Sequence, residues 1–231
     1  MAGTTIDDGG AVYRALSSSV TGAGATVDPV DLQTWMGTDK VEAITALLAL
    51  GGVTPTASLV ASTFEKFTQD LAAAYLATPP TPFAGVEDAI RALRSRGIKV
   101  ALSTGFDRAV VDGLLTALGW TVAQDHTALL SPGVTLDAVV TTTDVRAGRP
   151  APYMIHHAME ATGVVSVAAV LAAGDTLVDL EAARNAGALS VGVLTGALSR
   201  DALEASPYDY IVDGVVDVPL LAEAQVAEVS A

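Results

Sequence analysis

The sequence predicts a doubly wound α/β domain, a parallel sheet covered by helices on both faces, with a helical segment inserted near its start. From about Val86 onward, helical periodicities alternate with short apolar runs. Those runs have no polar face, as parallel strands buried on both sides require. Between Gly9 and Thr81, by contrast, every apolar pattern has a helical period and no convincing strand intervenes.

The chain opens on Met1-Ala2-Gly3-Thr4-Thr5, a small-residue loop with no strand leading into it. Helices are expected at Ala11–Val20, Val30–Met36, Val41–Leu50 and Ala57–Leu76, followed by Ala77-Thr78-Pro79-Pro80-Thr81-Pro82 as a stiff linker. The organisation expected is a core of residues 1–8 and 82–231, interrupted by a helical unit at 9–81. In the core, Val86–Arg96 places Ala89, Ile90 and Leu93 on one helix face, Gly97 closes it, and the strand Ile98–Ser103 follows. Asp107–Leu118 is a helix ending at Gly119, Asp137–Thr141 a short strand, Ala151–Thr162 a helix, and Val167–Ala173 a wholly apolar strand. Helix Leu177–Ala186, stopped by Gly187, then strands Leu189–Leu194 and Tyr210–Val212 complete the pattern. Such a sheet binds its ligand beyond the carboxyl ends of its strands, which directs attention to the residues after Leu102, Val140 and Ala173.

Composition narrows the function. Hydrophobic residues make up 51% of the chain, enough for a buried core. Twelve basic residues against 26 acidic ones give a net charge of −14, which argues against nucleic acid or an anionic membrane as partner. A small anion would need a locally positive pocket or a divalent metal. Without cysteine there is no disulfide, thiol nucleophile or thiolate metal site. His126 stands alone, and the neighbours His156 and His157 point to different helix faces, so they make a poor chelator; a surface residue beside a packed one is expected. The longest uncharged stretch, Ala43–Phe64, is broken by Gly51, Gly52 and Pro55, and no basic-then-apolar leader is visible. The expectation is a soluble cytoplasmic protein.

Four motifs could carry chemistry. Gly174-Asp175-Thr176 follows an apolar strand, with Asp179 one helical turn on. Two carboxylates facing one spot are costly unless a cation lies between them; the alternative is a helix N-cap plus a solvated residue. Ser103-Thr104-Gly105 ends a strand just before a helix and suits phosphate, although Ser/Thr/Gly turns are common structure. Arg149, in Gly148-Arg149-Pro150-Ala151-Pro152, is a stiffened guanidinium fork of the kind that binds phosphate, or simply a surface charge. Lys40 follows Met36-Gly37-Thr38-Asp39 at the start of a helix. If desolvated, its lowered pKa would let it form a Schiff base with an aldehyde.

In this order the motifs resemble the haloacid dehalogenase (HAD) superfamily, whose Rossmann-like core carries an inserted cap, and within it the phosphonoacetaldehyde hydrolase (phosphonatase) branch. Met1-Ala2-Gly3-Thr4-Thr5 is similar to that branch's Asp-x-Ala-Gly-Thr, Gly148-Arg149-Pro150 replaces the lysine of most relatives, and Met36-Gly37-Thr38-Asp39-Lys40 matches the Schiff-base lysine motif. The resemblance implies cleavage of a C–P bond, in phosphonoacetaldehyde or a related 2-oxoalkylphosphonate, through an imine on Lys40 and an aspartyl-phosphate. Magnesium would be held by Asp175 and the main-chain carbonyl of Ala2, with Asp179 in support. Gly3, Thr4, Thr104, Gly105 and Arg149 would hold the phosphonate. Alanine at position 2 suits an imine leaving group, which needs no general acid. Relatives dimerise through the cap, and the apolar helices here permit a homodimer.

Two departures from the branch stand out. Its nucleophilic aspartate would sit directly ahead of Met1, and the core's first strand would precede that; neither is in this sequence. A start codon assigned too late is the expected reason, with little turnover expected from the chain as it stands. Three residues past Lys40, phosphonatase proper has histidine where this chain has Ala43, which points beyond phosphonoacetaldehyde itself. The competing readings are an ordinary phosphatase of the same fold, and an inactive descendant that binds a phosphorylated ligand.

Overall fold

The computed structural model describes residues 1–123 and 134–229; His126 lies outside them. The chain opens in a tight turn. The Met1 carbonyl accepts from the N–H groups of Thr4, Thr5 and Ile6 at 3.1, 2.8 and 3.1 Å, and the Gly3 N–H donates to the Ile6 carbonyl at 3.0 Å. Gly3 holds φ at 78°, where other residues are strained.

Strand β1 (Ile6–Asp7) pairs antiparallel with β2 (Thr81–Pro82), joining the two ends of the helical segment between them. The proline-rich linker therefore ends in a two-residue strand; a proline is tolerated there because the ladder is short and at an edge. The segment folds as α1 (Ala11–Gly22), α2 (Pro29–Thr34), α3 (Lys40–Leu50) and α4 (Ala57–Ala77). Side-chain oxygens start three of them. Asp28 accepts from the Val30 N–H, Asp39 from those of Val41 and Glu42, and Thr56 from that of Leu59. Leu16, Ile44, Leu47, Phe67 and Leu71 close the interior where α1 and α3 pack on α4.

The remainder keeps the expected order and adds β4, β5, α9 and α10, which the sequence did not mark: α5 (Val86–Ser95), β3 (Ala101–Ser103), α6 (Arg108–Leu118), β4 (Thr121–Val122), β5 (Thr135–Leu136), β6 (Ala138–Val140), α7 (Tyr153–Thr162), β7 (Leu171–Gly174), α8 (Leu177–Ala186), β8 (Leu189–Val193), α9 (Arg200–Glu204), β9 (Tyr210–Val212) and α10 (Val218–Val229). Among the described residues the parallel ladders are β3–β6, β4–β5 and β7–β8–β9. Helix α7 packs on β3 and β6, and α8 on β7 and β8. The architecture is the parallel α/β fold expected. Four strands are shorter than the sequence suggested, β6 by one residue at each end and β8 by one at its end. Val167–Ala169 is a 3₁₀ turn ahead of β7, closed by Val170 N–H to Val167 at 2.9 Å, because a short apolar run does not distinguish a turn of helix from a strand. Strand β3 begins at Ala101 rather than Ile98.

At the amino ends of β3 and β6, Arg94 and Asp137 form a buried ion pair at 3.0 Å, with Lys99 3.4 Å from the same carboxylate. Neither histidine of the 156–157 pair is packed in the interior; His156 Nε2 lies 3.2 Å from the Ala186 carbonyl and His157 Nδ1 3.6 Å from Glu160. Among the described residues no helix is long and apolar enough to cross a membrane.

Candidate active site

At the carboxyl ends of β3 and β7, beneath the 9–81 helices, lies a cavity of about 240 Å³. Its walls bring together Ala2, Gly3, Lys40, Thr104, Gly105, Arg149, Asp175 and Asp179, which the sequence scatters over 178 positions. Thr4 is not among the wall residues. It is buried and donates its hydroxyl to Asp175 Oδ1 at 2.6 Å, so it reaches the site only through that carboxylate.

Asp175 follows β7 directly, and glycines make its seat. A Cβ on either Gly3 or Gly196 would collide with Asp175 Oδ2. The Thr195 hydroxyl donates to the Gly3 carbonyl at 2.6 Å and pins the opening turn against this loop.

Arg149 is 8% exposed and ion-paired with Asp179. The sequence reading aimed the guanidinium at a ligand and Asp179 at a metal; in the folded chain the two first meet each other. Asp179 also accepts from the Thr176 hydroxyl at 2.5 Å and the Thr176 N–H at 3.1 Å, forming the capping box of α8. Burial pushes the Arg149 guanidinium down to about 10, against the opposing pull of Asp175. Its Nε has no hydrogen-bond partner among the described residues.

The other wall is supplied by the helical segment. Lys40, first residue of α3, is 4% exposed and its Nζ donates to the Thr38 carbonyl at 3.2 Å. Burial pushes its amine down to about 8, with Arg149 adding to the effect and Asp39 opposing it. The loop before Lys40 lies directly on the core. A Cβ on Gly37, where φ is 84°, would stand 2.5 Å from Thr176 Oγ1, and one on Gly105 would run into the Thr38 carbonyl oxygen. Only glycines permit this approach. Tyr13, Met36, Phe83 and Phe106 complete the walls. No sequence signal set Tyr13 apart from other tyrosines at helical spacing.

Among the described residues no three carboxylate or imidazole groups gather as a metal cage. Asp7 and Asp8 also line the cavity, but they accept from the N–H groups of Gly9, Gly10 and Val12; the oxygen donors beside Gly3 are the Asp175 carboxylate and the Ala2 carbonyl, and on the latter no hydrogen bond from the described residues ends. Magnesium keeps several waters and needs few protein ligands, so these two groups fit it.

The model of the haloacid dehalogenase-like hydrolases matches residues 2–187. A phosphonoacetaldehyde hydrolase of Bacillus cytotoxicus is 30% identical over 207 residues, covering 85% of this chain and 74% of that protein. Among solved structures, a hydrolase from Pseudomonas syringae superposes with a TM-score of 0.80 at 20% identity, over 96% of this chain and 95% of the other. A phosphonoacetaldehyde hydrolase-like protein from Oleispira antarctica gives 0.79 at 23% identity, over 98% and 90%. The chain is a hydrolase of the haloacid dehalogenase-like family and belongs to its phosphonatase-like branch.

Proposed function

We propose that this chain is a phosphonatase-like hydrolase that breaks the C–P bond of a 2-oxoalkylphosphonate by way of an imine on Lys40. The observation that carries the reading is the placement of a buried amine, with its pKa lowered to about 8, in the same cavity as Arg149 and Asp175. An ordinary phosphomonoesterase needs no covalent chemistry from such an amine.

In this reading the neutral Lys40 amine adds to the substrate carbonyl and expels water. The protonated imine then accepts the electron pair of the breaking C–P bond and becomes an enamine. The phosphoryl group passes to the aspartate that the family resemblance puts directly ahead of Met1. Protonation at carbon and hydrolysis release the carbonyl product, and water cleaves the acyl phosphate. A magnesium ion held by Asp175 and the Ala2 carbonyl would neutralise charge on the phosphoryl oxygens. Arg149, Thr104, Gly105 and Gly3 would grip those oxygens, while Thr4 and Asp179 act through Asp175 and Arg149. The 9–81 segment serves as a cap over a core of 1–8 and 82–231, and its closure excludes water. Ala43 leaves the imine without an assisting imidazole, which favours a relative of phosphonoacetaldehyde as the natural substrate.

Borohydride added with phosphonoacetaldehyde or 2-oxopropylphosphonate should leave a reduced adduct on the Lys40 peptide, read by mass spectrometry. Hydrolysis of phosphate monoesters that survives Lys40→Ala, with no adduct, would sink the reading in favour of an ordinary phosphatase.

A further inference from the structure

Two buried side-chain donors without a hydrogen-bond partner among the described residues are Tyr13 Oη and Arg149 Nε, and both residues wall the same cavity. Neither atom is open to water. A buried donor left unmet is costly, so native folds keep such groups where something else satisfies them. The remaining such atom, Tyr75 Oη, belongs to a residue outside the cavity walls.

Tyr13 lies on α1, three residues past Gly10, so the helical segment carries it to the cavity. Gly9 and Gly10, with φ of 58° and 76°, form the turn from which that helix departs. Tyr13, Arg149 and Asp175 all wall the same cavity. A phenol keeps its proton at neutral pH, so it reaches a ligand as a neutral donor.

We propose that Tyr13 is a ligand-binding residue supplied by the cap, whose hydroxyl donates to a phosphoryl oxygen bound between Arg149 and Asp175. The opening turn and the β3, β6 and β7 loops hold the group from the core side, and Tyr13 meets it from above when the two parts close. The inference rests on the phosphoryl-binding half of the proposed function and is independent of imine formation at Lys40.

The test compares the full chain with its Tyr13→Phe variant in the presence of magnesium. Inorganic phosphate serves as the calorimetric probe, and unliganded thermal melts are run beside it. Phosphate should bind Tyr13→Phe about 10- to 100-fold more weakly, the span of one hydrogen bond to a charged group. The unliganded variant should melt no lower than the parent, since the hydroxyl removed has no partner there. Equal phosphate affinity in the two proteins overturns the inference. So does a lower melting temperature with affinity unchanged, which would make Tyr13 structural. If the parent itself binds no phosphate, the phosphoryl site falls with it, whereas borohydride trapping at Lys40 tests the imine separately.

Discussion

Thr4 donates its hydroxyl to Asp175 at 2.6 Å, joining residues 171 positions apart. The bond fixes one carboxylate oxygen, while Gly3 and Gly196 crowd the other. Asp175 is thereby held in one orientation before any ligand arrives. A partner that orients a metal-binding carboxylate matters nearly as much as the carboxylate.

Thr4→Val should therefore lower magnesium affinity about 10- to 100-fold and cost about 1 kcal/mol of stability. Thr4→Ser, which keeps the donor, should recover most of the affinity. Magnesium titration by calorimetry reads the first effect and urea denaturation the second. Unchanged affinity in Thr4→Val would show that Asp175 is oriented without it.

Gly105→Ala should keep its fold and lose closure. The added methyl would run into the Thr38 carbonyl oxygen, so the Lys40 loop would stand off the core. A displacement of about 1 Å at reacting groups costs on the order of 100-fold in rate. Borohydride trapping at Lys40, with thermal melts as the control, should slow by about that factor while the melting temperature moves little. A rate equal to the parent's would mean that the contact has no part in catalysis.

Lys40→Met should stabilise the protein at neutral pH. The folded amine titrates near 8 rather than the ordinary 10.5, so below pH 8 a buried charge opposes folding. The shift corresponds to about 3 kcal/mol. Between about pH 8 and 10.5 the unfolded chain binds the extra proton, so the parent gains stability with rising pH and the advantage of Lys40→Met shrinks. Urea melts of both proteins at pH 7 and 10 measure the difference directly. An advantage that stays constant over that range would show that Lys40 is not the titrating group.

Much of this architecture was legible from periodicity and punctuation. Leu177–Ala186 and Tyr210–Val212 have the ends that their apolar pattern and flanking glycine marked. Asp107 caps α6 where the sequence put the helix start. The strand-end rule led to Thr104, Gly105, Arg149 and Asp175, because a parallel sheet delivers the ends of separated strands to one edge. Contacts between loops were not legible. Arg149 and Asp179 are 30 positions apart and form an ion pair that no local pattern announces. Gly105 read as part of a phosphate turn, and its meeting with the Thr38 carbonyl depends on how the 9–81 helices settle on the core. Tyr13 was hidden for the same reason, since a tyrosine at helical spacing carries no mark of what lies across a cavity from it.

The contact of Gly105 with the Thr38 carbonyl is one of main chain to main chain, and this separates two problems that evolution usually meets together. How the two halves come together depends on Gly105 against the Thr38 main chain and on Gly37 against the Thr176 and Val178 side chains. What they enclose depends on side chains such as Met36, Phe83 and Phe106. Side chains of the second set can drift, and the range of accepted molecules with them, while the mating surface stays as it is. A library confined to those three positions should yield altered substrate preference with closure intact, and one that includes positions 37 and 105 should yield members that fold but no longer close.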